Sequence, residues 1–464
     1  MSPSHSPRQK ALVAAILALA TGSAPAFAQF LHTDAGPYDY NNTANWNGGT
    51  VNNQLTSTLS ASQTVTFAAD TTLSGSLTIN NNSVFNHTFL SSGANRTLTM
   101  GGNLSLGSNA SNANTVTFGS TTEGQQLNID LGANRTFFAG TNRTLDIVNV
   151  ISGAFNLTKT GNGIMRLTGT ANTYTGSTSI GTSGQVSGVL EVTKLADSGV
   201  ASSIGASTSA TGLVFGGTTT GTLRYVGSGD STNRRFLIGG VGANFDASGT
   251  GAVLWTNTSA PTYASTGNAR TITFSGTNTA DNTMSASFND SGAGKTSIAK
   301  TGTGTWVLAG ANTATGDITV SEGTLALGAA DRLADLANLV MNGGTFDTRG
   351  FSETLGTLTL SADSIIDLGA GNSDLVFAAS GAAAWGESFS LSFMNFTEGV
   401  DSIRFGLDQD GLTLAQLAQI TINGGSVGID TQGYLTLAAI PEPSAFALLA
   451  GAGTLAIAGL RRRR

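Results

Sequence analysis

Apolar positions along the chain come in short runs that alternate with polar ones. Ile164-Met165-Arg166-Leu167 and Thr305-Trp306-Val307-Leu308 show the pattern. An apolar residue at every second position puts one face of a strand in a core and the other in water. The runs are bounded by Gly, Asn, Ser and Thr, which supply the backbone angles and side-chain hydrogen bonds of tight turns. The pattern therefore predicts many short strands joined by turns. A single helix stands out: Asp408-Gln409-Asp410-Gly411 reads as a turn, and Thr413 precedes Gln416 by three residues, ahead of Leu414, Leu417 and Ile420. That spacing is a capping box at a helix start.

Two segments repeat one another. Residues 157–180 read LTKTGNGIMRLTGTANTYTGSTSI and residues 298–320 read IAKTGTGTWVLAGANTATGDITV. Lys159/Lys300, Gly161/Gly302, Gly163/Gly304, Leu167/Leu308, Gly169/Gly310, Asn172/Asn312 and Gly176/Gly316 correspond. Each copy leads into an apolar strand, GVLEV from 188 and GTLAL from 323. Gly161 and Gly163 mark a tight turn, and Asn172 and Asn312 an Asx-type corner. This unit resembles the autotransporter-associated β-strand repeat, also called the passenger-associated transport repeat. The first copy carries Asn172-Thr173-Tyr174-Thr175-Gly176; the second departs with Ala314 where the first has Tyr174. The resemblance covers residues 150–440 well and 40–150 loosely. The repeats imply an all-β right-handed parallel β-helix, with coils of roughly 20 residues stacked about 4.8 Å apart. Leu, Val, Ile and Phe would face inward, and Thr, Ser and Asn outward.

Composition agrees with a β-array and narrows the chemistry. Of 464 residues, 11% are charged and 62 are Gly, against about 25% charged in an ordinary soluble domain. There is no Cys, which excludes disulfides, thiolate zinc sites and cysteine nucleophiles. The net charge is −7. Arg8, Lys10 and Arg461 to Arg464 sit at the termini, so the body between them is more acidic still. Such a body does not bind nucleic acid by neutralising phosphates.

The termini read as addresses. Arg8 and Lys10, the apolar run Ala11 to Ala20, and the small residues Ala26 and Ala28 make a signal peptide cleaved before Gln29. At the other end come Pro441-Glu442-Pro443, an uncharged run over 444–460, and the basic stop-transfer tail Arg461, Arg462, Arg463, Arg464. As a helix that run would reach about 25 Å, the short limit for crossing a bilayer. The arginines would stay in the cytoplasm. This order resembles the PEP-CTERM sorting signal, which implies processing by an exosortase near Pro441-Glu442-Pro443. The expected organisation is a signal peptide at 1–28, an N-terminal β region with a cap at 29–150, and the repeat solenoid at 151–400. A C-terminal cap at 401–440 and the sorting signal with its transmembrane helix at 441–464 complete it.

Candidate chemistry is sparse. His5 lies in the signal, and His32 and His87 read as surface or turn residues. No His follows residue 87, so a Ser-His-Asp triad within the repeats is excluded. Asp317/Glu322, Asp335/Asp347 and Asp401/Asp408/Asp410 are the carboxylate candidates for polysaccharide cleavage. They sit beside Gly or at turns, where Asp is favoured locally. Asp408-x-Asp410-Gly411 matches part of a calcium loop, but Gly406 and Leu417 occupy the end positions. Trp46, Trp255, Trp306 and Trp385 are spread apart, which favours packing over sugar stacking. The reading is a non-enzymatic surface or extracellular-matrix protein of a Gram-negative bacterium, structural or adhesive in an exopolysaccharide layer. It needs no cofactor and no metal. Its partners would be signal peptidase, an exosortase, the membrane before processing, and exopolysaccharide, with no nucleic acid. The alternative is a polysaccharide-degrading β-helix enzyme, a lyase or glycosidase. A classical autotransporter passenger would need a C-terminal membrane barrel.

Overall fold

In the computed structural model the described residues are 36–46, 54–57, 62–81, 86–107 and 113–437. They are arranged as two compact units. One runs through Glu191 and includes Gly199–Thr208; the other comprises Val192–Ser198 and the chain from Ser209. Each is a parallel β-solenoid.

In the first unit, one sheet contains Tyr38–Asp39, Gln63–Phe67, His87–Ser91, Asn114–Phe118, Arg143–Ile147 and Ile164–Leu167. Its strands pair in parallel, each with the next coil. A second sheet runs from Gln54–Ser57 through Leu77–Asn81, Leu104–Leu106, Arg135–Ala139 and Leu157–Thr160 to Thr178–Ile180. A third, shorter sheet joins Thr71–Thr72, Arg96–Thr99, Leu127–Asp130 and Ile151–Ser152. The alternation read from sequence sets the orientation. In Gln63–Phe67 the first, third and fifth residues are buried and the two threonines between them half-buried. Register converts alternation into columns. Val65, Phe89, Phe118, Ile147 and Leu167 lie in line on successive coils. Phe89 stacks on Phe118 at 4.5 Å between centroids. Each such side chain contributes about 1.5–3 kcal/mol by leaving water, but only because the next coil covers it.

The second unit repeats the plan. One sheet steps in parallel from Gly221–Tyr225 through Gly242–Ala247, Arg270–Ser275, Thr296–Lys300, Ile318–Val320 and Leu339–Asn342 to Leu358–Ala362. A second runs from Ser228–Thr232 to Ile420–Ile422. A third pairs Glu353–Leu355, Asp374–Phe377 and Ser402–Phe405. Phe245, Trp255, Phe274 and Trp306 form one aromatic cluster, with centroids 5.3 Å apart for Phe245–Trp255 and 5.0 Å for Phe274–Trp306.

Three expectations change. Coils are not uniformly near 20 residues. Ser321 and Asn342 on adjacent coils are 21 residues apart, but Asn86 and Thr115 are 29; the longer coil carries a third strand, Arg96–Thr99. Parallel pairing also continues past residue 401, through Ser402–Phe405 and Ile420–Ile422. The cover is instead an antiparallel hairpin, Gly425–Ile429 with Leu435–Leu437, laid on Ile420–Ile422. An antiparallel turn-back occupies an edge that would otherwise accept another strand. Finally, the capping box is present, with Gln416 N donating to Thr413 Oγ1 and Thr413 N to Gln416 Oε1. The helix is only Leu414–Leu417, and Ile420 begins a strand. Among the described residues no helix is long and apolar enough to cross a membrane. The expected span at 444–460 lies outside them.

Candidate functional site

The two repeat copies share one arrangement of buried lysine and asparagine. Lys159 lies in a core column between Phe137 and Ile180, and Lys300 between Phe274 and Val320. Both are 0% exposed. Lys159 Nζ donates to the carbonyls of Thr160, Gly161 and Ser187 at 3.0, 2.6 and 3.1 Å. Lys300 Nζ donates to those of Thr301, Gly302 and Glu322 at 2.9, 2.5 and 3.0 Å. Each ammonium thus spends its three donors on turn carbonyls, two in its own coil and one in the next. Burial pulls Lys159 down to about 7 and Lys300 to about 8. The glycine opening the following strand is required: a Cβ on Gly188 would stand 2.7 Å from Lys159 Nζ, and one on Gly323 2.8 Å from Lys300 Nζ.

The asparagines are equally matched. Asn172 Oδ1 accepts from Ile151 N at 2.7 Å and its Nδ2 donates to Ser203 O at 2.8 Å. Asn312 accepts from Phe288 N at 2.8 Å and donates to Arg332 O at 2.9 Å. Each ties its corner to the coil before and the coil after, which is more than the local Asx turn expected. Tyr174 is buried, its hydroxyl 2.7 Å from Thr178 Oγ1; Ala314 fills the same place in the second copy and is also buried. These residues hold coils together and leave no reactive group free.

The carboxylate candidates are not brought together. Asp317 and Glu322 are exposed at opposite ends of Ile318–Val320, and Asp317 accepts from Asn338 Nδ2. Asp335 is exposed and Asp347 half-buried. Asp401 is buried, accepting from Ser373 N and Thr397 N. Asp408 caps the turn through Asp410 N, and Asp410 is exposed. One pair that sequence reading missed is Asp347 and Asp367, in register on adjacent coils. Burial raises the Asp347 pKa, with Asp367 adding to it. Both are engaged: Arg349 N and Nε contact Asp347, and Asn395 Nδ2 donates to Asp367. Among the described residues no group of three or more His, Asp or Glu could hold a metal ion.

His87 corrects its expectation. It is a strand residue, 4% exposed, whose Nδ1 accepts from Gln63 N at 3.3 Å. Burial, and then Arg143, push it down to about 4. His5 and His32 lie outside the described residues. Trp46, Trp255 and Trp306 are buried. The Trp46 indole donates to Tyr40 O and that of Trp306 to Ser275 O. Trp385 is half-buried and donates to Leu358 O.

The outward faces carry polar columns. Thr64, Thr88 and Thr117 line up in the first unit, and Thr305, Thr324 and Thr345 in the second. Asparagines reinforce them by accepting from the amide of the next coil, as Asn134 does from Asn156 N and Asn156 from Ser177 N. In the second unit, Arg349 reaches back 68 residues to Asp281 in a two-bond pair at 2.9 and 2.6 Å. Val307 and Ala326 point outward by alternation, yet are buried. They lie in the column between Thr283 and Asp347.

Two concave sites lie on the last coils of the second unit. A cleft of about 1130 Å³ opens between Leu414–Leu417 and the terminal hairpin. A second, of about 520 Å³, lies on the sheet containing Ser402–Phe405 and includes Arg404. Arg404 was not singled out from sequence. Its place between inward Ile403 and Phe405 is the signal that it faces out.

The passenger-associated-transport-repeat model matches residues 157–187 and 298–327. The chain is 46% identical over 177 residues to the adhesin BmaC autotransporter of Brucella suis biovar 1 (strain 1330). That match covers 38% of this chain and 5% of the relative's length. No solved structure matches the chain. Ala26, Ala28, Pro441, Glu442, Pro443 and Arg461 to Arg464 lie outside the described residues.

Proposed function

We infer that this chain is an exported surface protein of a Gram-negative bacterium that acts by binding, with adhesion as its role. The observation carrying this is the likeness over 177 residues to a protein described as an autotransporter adhesin. It is joined to a solenoid whose buried ionisable repeat groups, Lys159 and Lys300, are consumed by structure. A stack of coils with columns of Thr and Asn offers repeated hydrogen-bonding groups to an extended partner such as exopolysaccharide. The right-handed sense of the coils belongs to the same reading.

The termini complete it. Signal peptidase removes residues 1–28, the apolar run at 444–460 holds the protein in the inner membrane, and an exosortase acts at Pro441-Glu442-Pro443. The mature protein then sits on the cell surface or in the extracellular matrix. The reading assigns no catalytic residue and no cofactor. Replacing Pro441, Glu442 and Pro443 by alanine should keep the protein in the membrane fraction at higher mass. An unchanged mature mass and location would sink the sorting claim.

A further inference from the structure

We propose that the cleft around Arg404 binds a carboxylate-bearing sugar, a hexuronate unit of an acidic polysaccharide. Thr354, Val376 and Arg404 are in register on three adjacent strands and form the outward column of this sheet. Around them, Ala378, Ala379 and Leu407 supply apolar surface, and the cleft has about 520 Å³. That lies within the range of small-ligand sites, about 300–1,000 Å³.

Arg404 is the reason to expect an anion. Its Nε is shielded from solvent and has no hydrogen-bond partner. Among the described residues it forms no ion pair. Its guanidinium lies 5.7 Å from the Tyr434 ring centroid, which leaves the donor edge unmatched. The planar fork of Arg fits a carboxylate with two parallel bonds.

The remaining lining selects among anions. Exposed Asp335 and Asp408 stand in the same cleft. They accept from sugar hydroxyls. Val376, Ala378 and Leu407 suit the C–H face of a pyranose ring. A single carboxylate, several hydroxyls and an apolar ring face describe a hexuronate. A fatty acid would use Arg404 and the apolar floor but leave both aspartates against hydrocarbon.

The test is calorimetric titration of the full chain with oligogalacturonate, with neutral oligogalactose and decanoate as comparisons. Oligogalacturonate should bind, neutral oligogalactose and decanoate should not, and Arg404→Gln should weaken binding by roughly tenfold or more. Val376→Asp changes a half-exposed position in the same column and should weaken it similarly, which keeps the proposal testable if Arg404→Gln does not fold. Oligogalacturonate binding that is undetectable, unchanged in both variants, or matched by decanoate or oligogalactose would overturn it. The site is independent of the sorting signal, so failure of the sorting test leaves it standing.

Discussion

At the scale of single residues, the chain places charge where a β-core ordinarily excludes it. Lys159 stands in a column between Phe137 and Ile180 because its ammonium has three carbonyl acceptors. Removing the donor strands three buried carbonyls, so Lys159→Met should destabilise the first unit by about 2–4 kcal/mol, read from urea unfolding. Glu353 is the opposite case. It is 1% exposed; one oxygen accepts from Arg332 N and Leu333 N, and the other has no partner. Burial pushes its pKa up to about 7. The folded state therefore holds a proton that the unfolded chain releases at its ordinary value, near 4.5. This contribution is complete below the unfolded value and is lost as pH rises through about 7. Glu353→Gln should flatten the fall in melting temperature between pH 4.5 and 7. The burial of Lys159 was not read from sequence, because its acceptors include Ser187, 28 residues away.

At the scale of elements, strand and turn were readable and their partners were not. Gln63–Phe67 alternates in sequence and in burial alike, since side-chain direction in a strand is a local property with period two. The Thr413 capping box was also local and is present. The length of its helix was set by Ile420 joining the sheet beside Leu391, a contact between residues distant in sequence. Asn172 shows the same division. Its corner position was legible, but its bonds to Ile151 N and Ser203 O span 21 and 31 residues. Asn172→Ala leaves both groups without this partner and should cost about 1–3 kcal/mol. Hydrogen exchange should report it as faster exchange at the Ile151 amide, with the Phe288 amide under Asn312 unchanged.

At the scale of the whole molecule, addresses and body are separate kinds of information. On the proposed reading, Pro441-Glu442-Pro443 and the Ala26 and Ala28 site are short linear patterns that enzymes would meet in an extended chain. Mass spectrometry of the secreted protein should find a start at Gln29 and an end near Pro441. The body is read differently, through surface assembled from many coils. By itself the sequence determined strand direction, the turns and the two matched repeats, because each rests on residues within one coil. Only the tertiary structure decided which coil lies on which, that Lys159, His87 and Glu353 are buried, and that Arg404 faces a cleft beside Asp335. Burial and concavity depend on what the neighbouring coils cover, and coil lengths that vary from one turn to the next keep that register out of any local pattern.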